Sequence, residues 1–357
     1  MQAAATKKQQ AIADHYAAQI TAVKQQAQKL HSVNQSISKV ISSVHRALSS
    51  IDNIDTALLH MSSAIANTPT DPKATPTTFD SNLSAISSMA QGDTSSKNLL
   101  GTMYRGGSYL PNSLTYTANS GGQTVTVQGE YLGSDYTITQ PDGTFWMPSG
   151  TQSMQRYAAY PFGKQGGAIS TNPENFQGTA STADSTATFT TGLSLAASGQ
   201  NTYSGSVAKY GLQMGSAWMY NNFATADDRT QADKDIDAAR SKLAITKTNL
   251  SIALAKASSD LAKEKTAQAQ SDAKIASLQS QAKAAMQKVV DQTKRQFNTM
   301  QTALANAGVD VNGTSGFGTG QSAGMFMALL PGTASTQPVD DAANALTILS
   351  GSVNILT

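Results

Sequence analysis

The feature that most limits how this chain can fold is a long stretch without helix breakers. Between Gly215 and Gly308 there is neither glycine nor proline, and Ala, Lys, Gln, Ser and Asp dominate. Most of these residue types are compatible with a helix. One helix from Thr225 to Ala307 would be roughly 125 Å long at 1.5 Å per residue. A compact core has no use for such a helix, so the pattern predicts an elongated chain with this helix as its main support.

Both ends of the predicted long helix carry local signals. Thr225 and Asp228 form a T-x-x-D sequence close to the capping box, and Gly308 is a suitable stop. No breaker indicates that the helix folds back on itself, although a hairpin remains an alternative. The helical segment is predicted to cover 203–308, with an ambiguous pattern at its beginning.

The first 67 residues also lack glycine and proline and predict a second long helix. Large apolar residues recur in it at seven-residue intervals, a row called a here: Tyr16, Val23, Leu30, Ile37, Val44, Ile51, Leu58 and Ile65. A companion row, d, holds Val33, Val40, Ala47, Ile54 and Met61. Sustained a/d spacing predicts a coiled-coil seam. The partner in this seam is either the long helix of the same chain or another copy, and the row a residues are the predicted interface.

The middle of the chain changes from helical to strand-like patterning. Residues 68–112 contain Thr-Pro and Asp-Pro breakers and are predicted to be a connector with a short helix from Phe79 to Met89. Alternating apolar residues and turn sequences such as Gln-Pro-Asp-Gly then predict antiparallel hairpins. We therefore expect a small antiparallel β domain over 113–202, inserted between the two helical segments.

The last part of the chain, 309–357, combines a glycine-rich hinge with an apolar tail. Its most apolar run contains Met325, Phe326, Met327, Leu329 and Leu330. Such a tail is too apolar for a solvated linker, so we expect it to dock on this chain, on a neighbouring copy or on another protein. An intersubunit plug and a membrane-contacting segment are the sharper alternatives for this run, which is the second predicted interface.

Composition excludes several classes of function. The chain has no cysteine, so disulfides, thiolate metal sites and cysteine nucleophiles are excluded. A net charge of +2 gives no support for nucleic-acid binding. No apolar run reaches the length of a membrane span, and no apolar segment typical of a secretory signal follows the first residues. Only 13% of the residues are charged, which is typical of exported or assembled structural proteins rather than of cytosolic enzymes.

No group of residues predicts catalysis, a cofactor or a metal. All four histidines (His15, His31, His45 and His60) lie in the first helix, away from rows a and d, and too far apart to bind one metal ion. The sequence Gly320-Gln321-Ser322-Ala323-Gly324 matches a nucleophile elbow, but no histidine follows it. Aromatic residues such as Trp146 and Tyr157 could form a stacking surface, although a small β domain needs them for its core. The expectation is therefore a protein that is not an enzyme.

The predicted fold is mainly α with an inserted small β domain, in which antiparallel coiled-coil arms come from the two halves of an elongated chain. This layout resembles the general plan of flagellin-type axial proteins, which implies helices that polymerise and a middle domain that faces outward. The resemblance is one of layout and composition; no flagellin N-terminal signature is present, and the segment after Gly308 departs from that plan.

The predicted function is a structural or assembly subunit of a bacterial extracellular appendage, secretion apparatus or virion. We expect a homo-oligomer or larger assembly at the cell surface, outside the cell, in a virion or in the periplasm, without nucleic acid and with membrane contact as the less favoured possibility. The alternative is a long-helix pore-forming toxin or translocator that inserts an apolar segment into membranes.

Overall fold

The computed structural model describes residues 2–91, 98–105, 108–118, 122–149, 153–158, 164–171, 176–181, 186–190 and 201–306. This part of the chain is mostly helical, with a separate β-sheet region. The helices are α1 (Gln2–Ala66), α2 (Ala74–Gln91), α3 (Ala226–Asn306) and a short 3-10 segment (Ala217–Phe223). The chain divides into a terminal unit, made of 1–32 and 264–357, and a central unit, made of 33–263.

The heptad rows of the first helix lie on its buried face. Every described row a residue from Val23 to Ile65 is buried, and Tyr16 is half-buried. In row d, Val33 is half-buried and the other members are buried. The spacing therefore predicted which side of α1 packs against other elements, because residues seven apart return to nearly the same side of a helix.

In the central unit, α1 packs against α3 in the opposite chain direction. Their buried residues belong to one hydrophobic cluster, which includes Ile54, Leu58, Ile236 and Leu243. Polar contacts along this pair join Ser62 to Asp233 at 3.1 Å, Asp55 to Arg240 at 2.8 Å and Asp52 to Lys247 at 2.6 Å. Residue numbers fall along α1 as they rise along α3, so these two segments are antiparallel.

In the terminal unit, the same two helices form a second and smaller apolar contact. Ile20 and Val23 of α1 cluster with Ile275 and Leu278 of α3, and Tyr16 packs against them. Between Leu261 and Ile275 the apolar pattern of α3 weakens, and the buried Ser271 takes one of the inward positions. Among the described residues, this apolar cluster has fewer members than the cluster of the central unit.

The long helix begins as its sequence predicts. The hydroxyl of Thr225 accepts a hydrogen bond from the backbone N–H of Asp228 at 3.2 Å, and Asp228 Oδ2 accepts one from the N–H of Thr225 at 2.9 Å. This reciprocal pair is a capping box, and it satisfies two N–H groups that have no partner within the helix.

The predicted connector contains more regular structure than its breakers indicated. It includes α2, which is longer than the predicted Phe79–Met89 helix, and the hairpin β1 (Thr102–Arg105) and β2 (Ser108–Pro111). Pro76 falls within the first turn of α2, where a missing N–H group is tolerated. Asp71 Oδ1 accepts a hydrogen bond from the N–H of Ala74 at 3.1 Å at the same end.

The described strands pair with one another in antiparallel fashion. A separate hairpin joins β3 (Ser113–Ala118) to β4 (Gln123–Gln128), as predicted. The other strands are β5 (Tyr136–Thr139), β6 (Phe145–Pro148), β7 (Ser153–Tyr157), β8 (Lys164–Ser170), β9 (Gln177–Ser181), β10 (Thr186–Thr190) and β11 (Thr202–Lys209). They form one curled half-barrel sheet in the order β8-β7-β6-β5-β11-β10-β9. The predicted turn at Gln140–Gly143 connects β5 to β6.

The chain enters and leaves this sheet through neighbouring strands. Tyr136 at the start of β5 is directly opposite Lys209 at the end of β11. Consequently the predicted helical segment 203–308 begins too early, because residues 203–209 lie in β11 and α3 begins only at Ala226. Exposed and half-buried side chains alternate along β11, which is the period of a strand and not of a helix.

The close approach of the entry and exit chains requires glycine at position 211. Gly211 has a φ of +66°, and a Cβ atom there would overlap the carbonyl oxygen of Gly133. That oxygen accepts a hydrogen bond from the N–H of Leu212 at 2.8 Å, so it cannot move away freely. Gly143 has a similar φ of +82°, but its surroundings are open.

We expect Gly211→Ala to destabilise the protein by about 2–3 kcal/mol, because it adds an overlap to the unfavourable φ. Gly143→Ala should lose only about 1 kcal/mol, which is the effect of the φ alone. Urea unfolding followed by tryptophan fluorescence measures both. Equal losses in the two variants would contradict the close approach at Gly211.

Within the described residues, no helix is both long and apolar enough to cross a membrane.

Candidate functional site

The residues predicted to form interfaces fall into two groups. From Ile37 to Ile65, the row a residues are buried in the cluster that also contains α3 residues of the central unit. Tyr16 and Val23 pack within the terminal unit, where Leu30 is also buried. The predicted docking run Met325–Leu330 lies outside the described residues. In the central unit, these row a residues therefore pack in the same cluster as residues of α3.

The other residues singled out from the sequence have ordinary structural positions. His15, His45 and His60 are exposed and His31 is half-buried. Trp146, Trp218, Tyr131 and Tyr136 are buried, as expected for a core, and Tyr157 is half-buried. Tyr160 and the Gly320–Gly324 sequence lie outside the described residues. In the described ranges, no cluster of His, Asp or Glu could hold a metal ion.

The most unusual chemical environment is a junction where α2, the sheet and the start of α3 meet. Its centre is Asp80 of α2, which is only 2% exposed. The Asp80 carboxylate accepts a hydrogen bond of 2.7 Å from the backbone N–H of Ala217, in the 3-10 segment. Burial raises the pKa of Asp80 to about 7, and the hydrogen bond from Ala217 opposes this only in part. Asp80 therefore changes its charge near neutral pH.

A second carboxylate, Asp235 of α3, also contacts the 3-10 segment. It accepts hydrogen bonds from the Tyr220 hydroxyl at 2.8 Å and from Gln231 Nε2 at 2.9 Å, and it pairs with Lys209 at 3.5 Å. Burial raises the pKa of Tyr220, and the negative charge of Asp235 raises it further. Tyr220 consequently remains a neutral hydrogen-bond donor that links the 3-10 segment to α3.

The sheet contributes the third side of the junction through Tyr136 of β5. Its hydroxyl lies 3.3 Å from the Ser216 hydroxyl and accepts a hydrogen bond of 3.4 Å from Trp218 Nε1. Burial raises the pKa of Tyr136 to about 12, although these hydrogen bonds lower it. Strand β5 is thus connected to the 3-10 segment by polar contacts inside the core.

The backbone next to these groups is strained. Asn221, Asn222 and Phe223 have φ values of 49°, 51° and 65°, in the left-handed region that ordinary residues avoid. Several contacts hold this conformation, among them the packing of the Phe223 ring 4.9 Å from that of Phe79 and a hydrogen bond of 2.9 Å that the Phe223 carbonyl oxygen accepts from Arg229. Strain of this kind persists only where the surroundings hold it in place.

The described side chains of the junction connect α2, the 3-10 segment, β5 and α3 through hydrogen bonds. Its acids are paired with backbone N–H groups, tyrosine hydroxyls or Lys209, and none is next to a histidine or to a hydroxyl activated as a nucleophile. Sequence reasoning did not identify it. Asp80 directly follows the apolar Phe79 within a short helix, and nothing in that local pattern indicates whether its carboxylate is buried.

Two further polar links connect the β3–β4 hairpin and the chain that follows it to α3. The Tyr116 hydroxyl donates a hydrogen bond of 2.9 Å to Asp260, which also pairs with Lys256 at 2.9 Å. Glu130 accepts a hydrogen bond from Thr246 at 2.5 Å and pairs with Lys242 at 3.2 Å. Burial would raise the pKa of Asp260, but the hydrogen bonds from Lys256 and Tyr116 outweigh it and lower the pKa.

We expect Tyr116→Phe to destabilise the protein by about 1–2 kcal/mol at neutral pH, since the charged Asp260 loses one donor. Because the pKa of Asp260 is lowered in the folded state, this contribution is present above its ordinary pKa and disappears as the pH falls through the lowered value. Urea unfolding of both proteins at neutral and acidic pH tests this. A loss of the same size at every pH would contradict the role of the charged Asp260.

The outer face of α3 in the central unit carries two exposed apolar side chains. Ile245 is 62% exposed and Ile252 is 65% exposed. They are seven residues apart and therefore lie on one side of the helix, away from the buried Leu243 and Leu250. We call this pair the isoleucine face.

Comparison with models of protein families and with curated proteins finds no match to this chain.

Proposed function

We propose that this chain is a non-enzymatic structural subunit of a bacterial extracellular appendage, a secretion apparatus or a virion. In this proposal the two helical segments form antiparallel coiled-coil arms of an elongated molecule, and the sheet region is displayed from them. The subunit acts outside the cell, at the bacterial surface, in a virion or in the periplasm, as part of a homo-oligomer or larger assembly.

The observation that carries the proposal is the way the sheet is attached to the helices. Buried polar contacts at Asp80, Tyr136 and Tyr220 join the sheet, α2 and α3, and the links at Asp260 and Glu130 attach the β3–β4 side to α3. Because these polar contacts are numerous and mostly buried, they favour a fixed position of the sheet relative to α2 and α3. A fixed position suits a protein that displays a domain. These contacts leave no open acid–base pair for catalysis.

The assembly contacts require a surface other than the central part of the seam. Row a of the central unit is already buried within the chain. The isoleucine face is exposed, and apolar side chains repeated at seven-residue spacing are suited to helix–helix contact. We therefore propose the isoleucine face as one contact with neighbouring subunits.

Sedimentation velocity and negative-stain imaging over a concentration series test this proposal. We expect the wild-type chain to form a defined oligomer, a ring or a filament. Ile245→Glu combined with Ile252→Glu should weaken association at least tenfold. Both side chains are largely exposed, so the fold should be unaffected. Leu59→Glu, at another exposed apolar residue of the central unit, is the matched control and should associate like the wild type.

A wild-type chain that stays monomeric throughout would contradict the assembly proposal. If assembly persists in the double variant, the contact at the isoleucine face is wrong and the structural function stands. Release of dye from liposomes at low protein concentration would contradict a purely structural role.

A further inference from the structure

The apolar stripe of α3 continues beyond its well-buried part. Ile275, Leu278, Met286 and Val289 are buried within the terminal unit. Farther along the same side, Val290, Phe297 and Leu304 are half-buried, and Met300 is 36% exposed. We call residues 290–304 the terminal stripe. Its spacing of sevens, threes and fours is that of a helix face that packs against another segment.

The beginning of α1 has little apolar surface with which to cover this stripe. Tyr16, Ile20 and Val23 cluster with Ile275 and Leu278. Before Tyr16, the only large aliphatic residue among the described positions of α1 is Ile12, and the rest is mainly Ala, Gln, Lys and Thr. Among the described residues, α1 therefore offers little apolar cover for the half-buried Val290 and Leu304 and the 36% exposed Met300, and exposed apolar surface is unfavourable in water.

Charge indicates which segment this is. The described helices of the terminal unit carry ten basic residues (Lys7, Lys8, Lys24, Lys29, Lys265, Lys274, Lys283, Lys288, Lys294 and Arg295) and four acidic ones (Asp14, Glu264, Asp272 and Asp291), a net charge of +6. Residues 307–357 carry three acids (Asp310, Asp340 and Asp341) and no Lys or Arg, a net charge of −3. The two parts are complementary in charge as well as in apolar character.

We propose that the apolar run Met325–Leu330 docks on the terminal stripe of the same chain, with the acidic residues of 307–357 near Lys288, Lys294 and Arg295. This inference does not depend on the proposed function.

The connecting sequence is long enough for this contact. Residues 307–324 can span up to roughly 60 Å when extended, whereas the terminal stripe is only about 20 Å long. Covalent connection gives such a segment an effective concentration on the order of millimolar. The run of the same chain is therefore favoured over the run of a neighbouring copy at ordinary protein concentrations.

Amide hydrogen exchange on the full chain, read at residues 290–306, tests the docking. We expect Phe326→Ser combined with Leu329→Ser to speed exchange there about tenfold, because the stripe loses its cover. The control pair, Leu346→Ser with Ile348→Ser, removes apolar side chains elsewhere in the same sequence segment and should leave exchange at 290–306 unchanged. Unchanged exchange in the first pair would overturn the proposal.

Reversal of charges on both partners tests the proposed pairing between the acidic residues of 307–357 and the basic residues of the terminal stripe. Lys294→Glu with Arg295→Glu should speed exchange at 290–306 several-fold, and adding Asp340→Lys with Asp341→Lys should restore the wild-type rate. Lys274→Glu with Lys283→Glu makes the same change of charge elsewhere on α3 and should have little effect on exchange at 290–306. Failure of the restoration would contradict the charge pairing.

Dilution of the protein distinguishes docking of the run from the same chain from docking of the run from a neighbouring copy. Protection within one chain is independent of protein concentration. Protection that disappears on dilution would mean that the run of a neighbouring copy covers the stripe, which would overturn docking within the chain.

Discussion

Asp80→Asn is expected to stabilise the protein at about pH 8 by roughly 2–4 kcal/mol. The folded protein holds the Asp80 carboxylate in a buried site, where its pKa is about 7 instead of the ordinary value of 3.8. At pH 8 folding therefore requires burial of a charge. Asparagine has nearly the same shape, remains neutral and can still accept the hydrogen bond from Ala217 through its oxygen.

The direction of the pH dependence follows from the raised pKa. The folded state binds the Asp80 proton more tightly than the unfolded state does. The contribution of Asp80 is therefore fully present below the ordinary aspartate pKa and is lost as the pH rises through about 7. We expect the wild-type protein to lose stability over this range and the Asp80→Asn variant to lose much less.

Other charged groups around the junction affect the size of this change but not its direction. Tyr136, Tyr220, Asp235 and Lys209 surround the 3-10 segment that contacts Asp80. Asp135, just before β5, is half-buried, and burial raises its pKa despite a hydrogen bond from Tyr131. It adds to the loss of stability at higher pH, so some pH dependence should remain in the variant.

Urea unfolding at about pH 5 and about pH 8 measures the effect, with tryptophan fluorescence as the probe because Trp146 and Trp218 both lie in the central unit. Asp272→Asn is the matched control, since Asp272 is exposed on α3. It should leave the difference between the two pH values unchanged. An Asp80→Asn variant that is no more stable than the wild type at pH 8 would contradict a charged, buried Asp80.

Leu58→Ala is expected to destabilise the central unit by about 3–5 kcal/mol, whereas Leu59→Ala should change its stability by less than about 0.5 kcal/mol. The two leucines are adjacent on α1, but Leu58 is fully buried against the cluster shared with α3 and Leu59 is 46% exposed. The first substitution leaves a cavity in a packed core. The second removes a side chain that is already partly in water.

This pair isolates burial from helix propensity, because both variants exchange leucine for alanine in the same helical turn. Thermal unfolding followed by circular dichroism, together with urea unfolding by tryptophan fluorescence, gives the two losses. Similar losses for Leu58 and Leu59 would mean that row a does not face α3. A small loss for both would indicate a seam that is closed only when copies associate.

The sequence predicted best those features that depend on neighbouring residues. The Thr225–Asp228 capping box, the burial of row a and the β3–β4 hairpin all follow from patterns spanning a few residues. The boundary of the helical segment was placed too early, at 203, because residues 203–220 have a weak local pattern. The pairing of β11 with β10 and with the more distant β5 identifies 203–209 as strand.

The candidate site was not accessible to the same reasoning. Asp80 in α2, Tyr136 in β5 and Ala217 in the 3-10 segment are far apart in the chain, and none belongs to a recognisable motif. Their significance arises from burial, which changes the pKa of a carboxyl group only when other elements exclude water from it. The left-handed backbone at Asn221–Phe223 is equally invisible in the sequence, since the packing of Phe223 and the hydrogen bond from Arg229 maintain it.

The sequence by itself determined that the chain has two long helices, which side of α1 is buried and that strands lie between these helices. These properties depend on periodicity and on the absence or presence of breakers, which act locally. Tertiary structure alone decided that α3 of the same chain fills the central seam, that the sheet is entered and left through adjacent strands, and that a carboxylate lies buried where the sheet meets the helices. Each of these depends on contacts between distant residues, whose free energy comes from burial that no local pattern specifies.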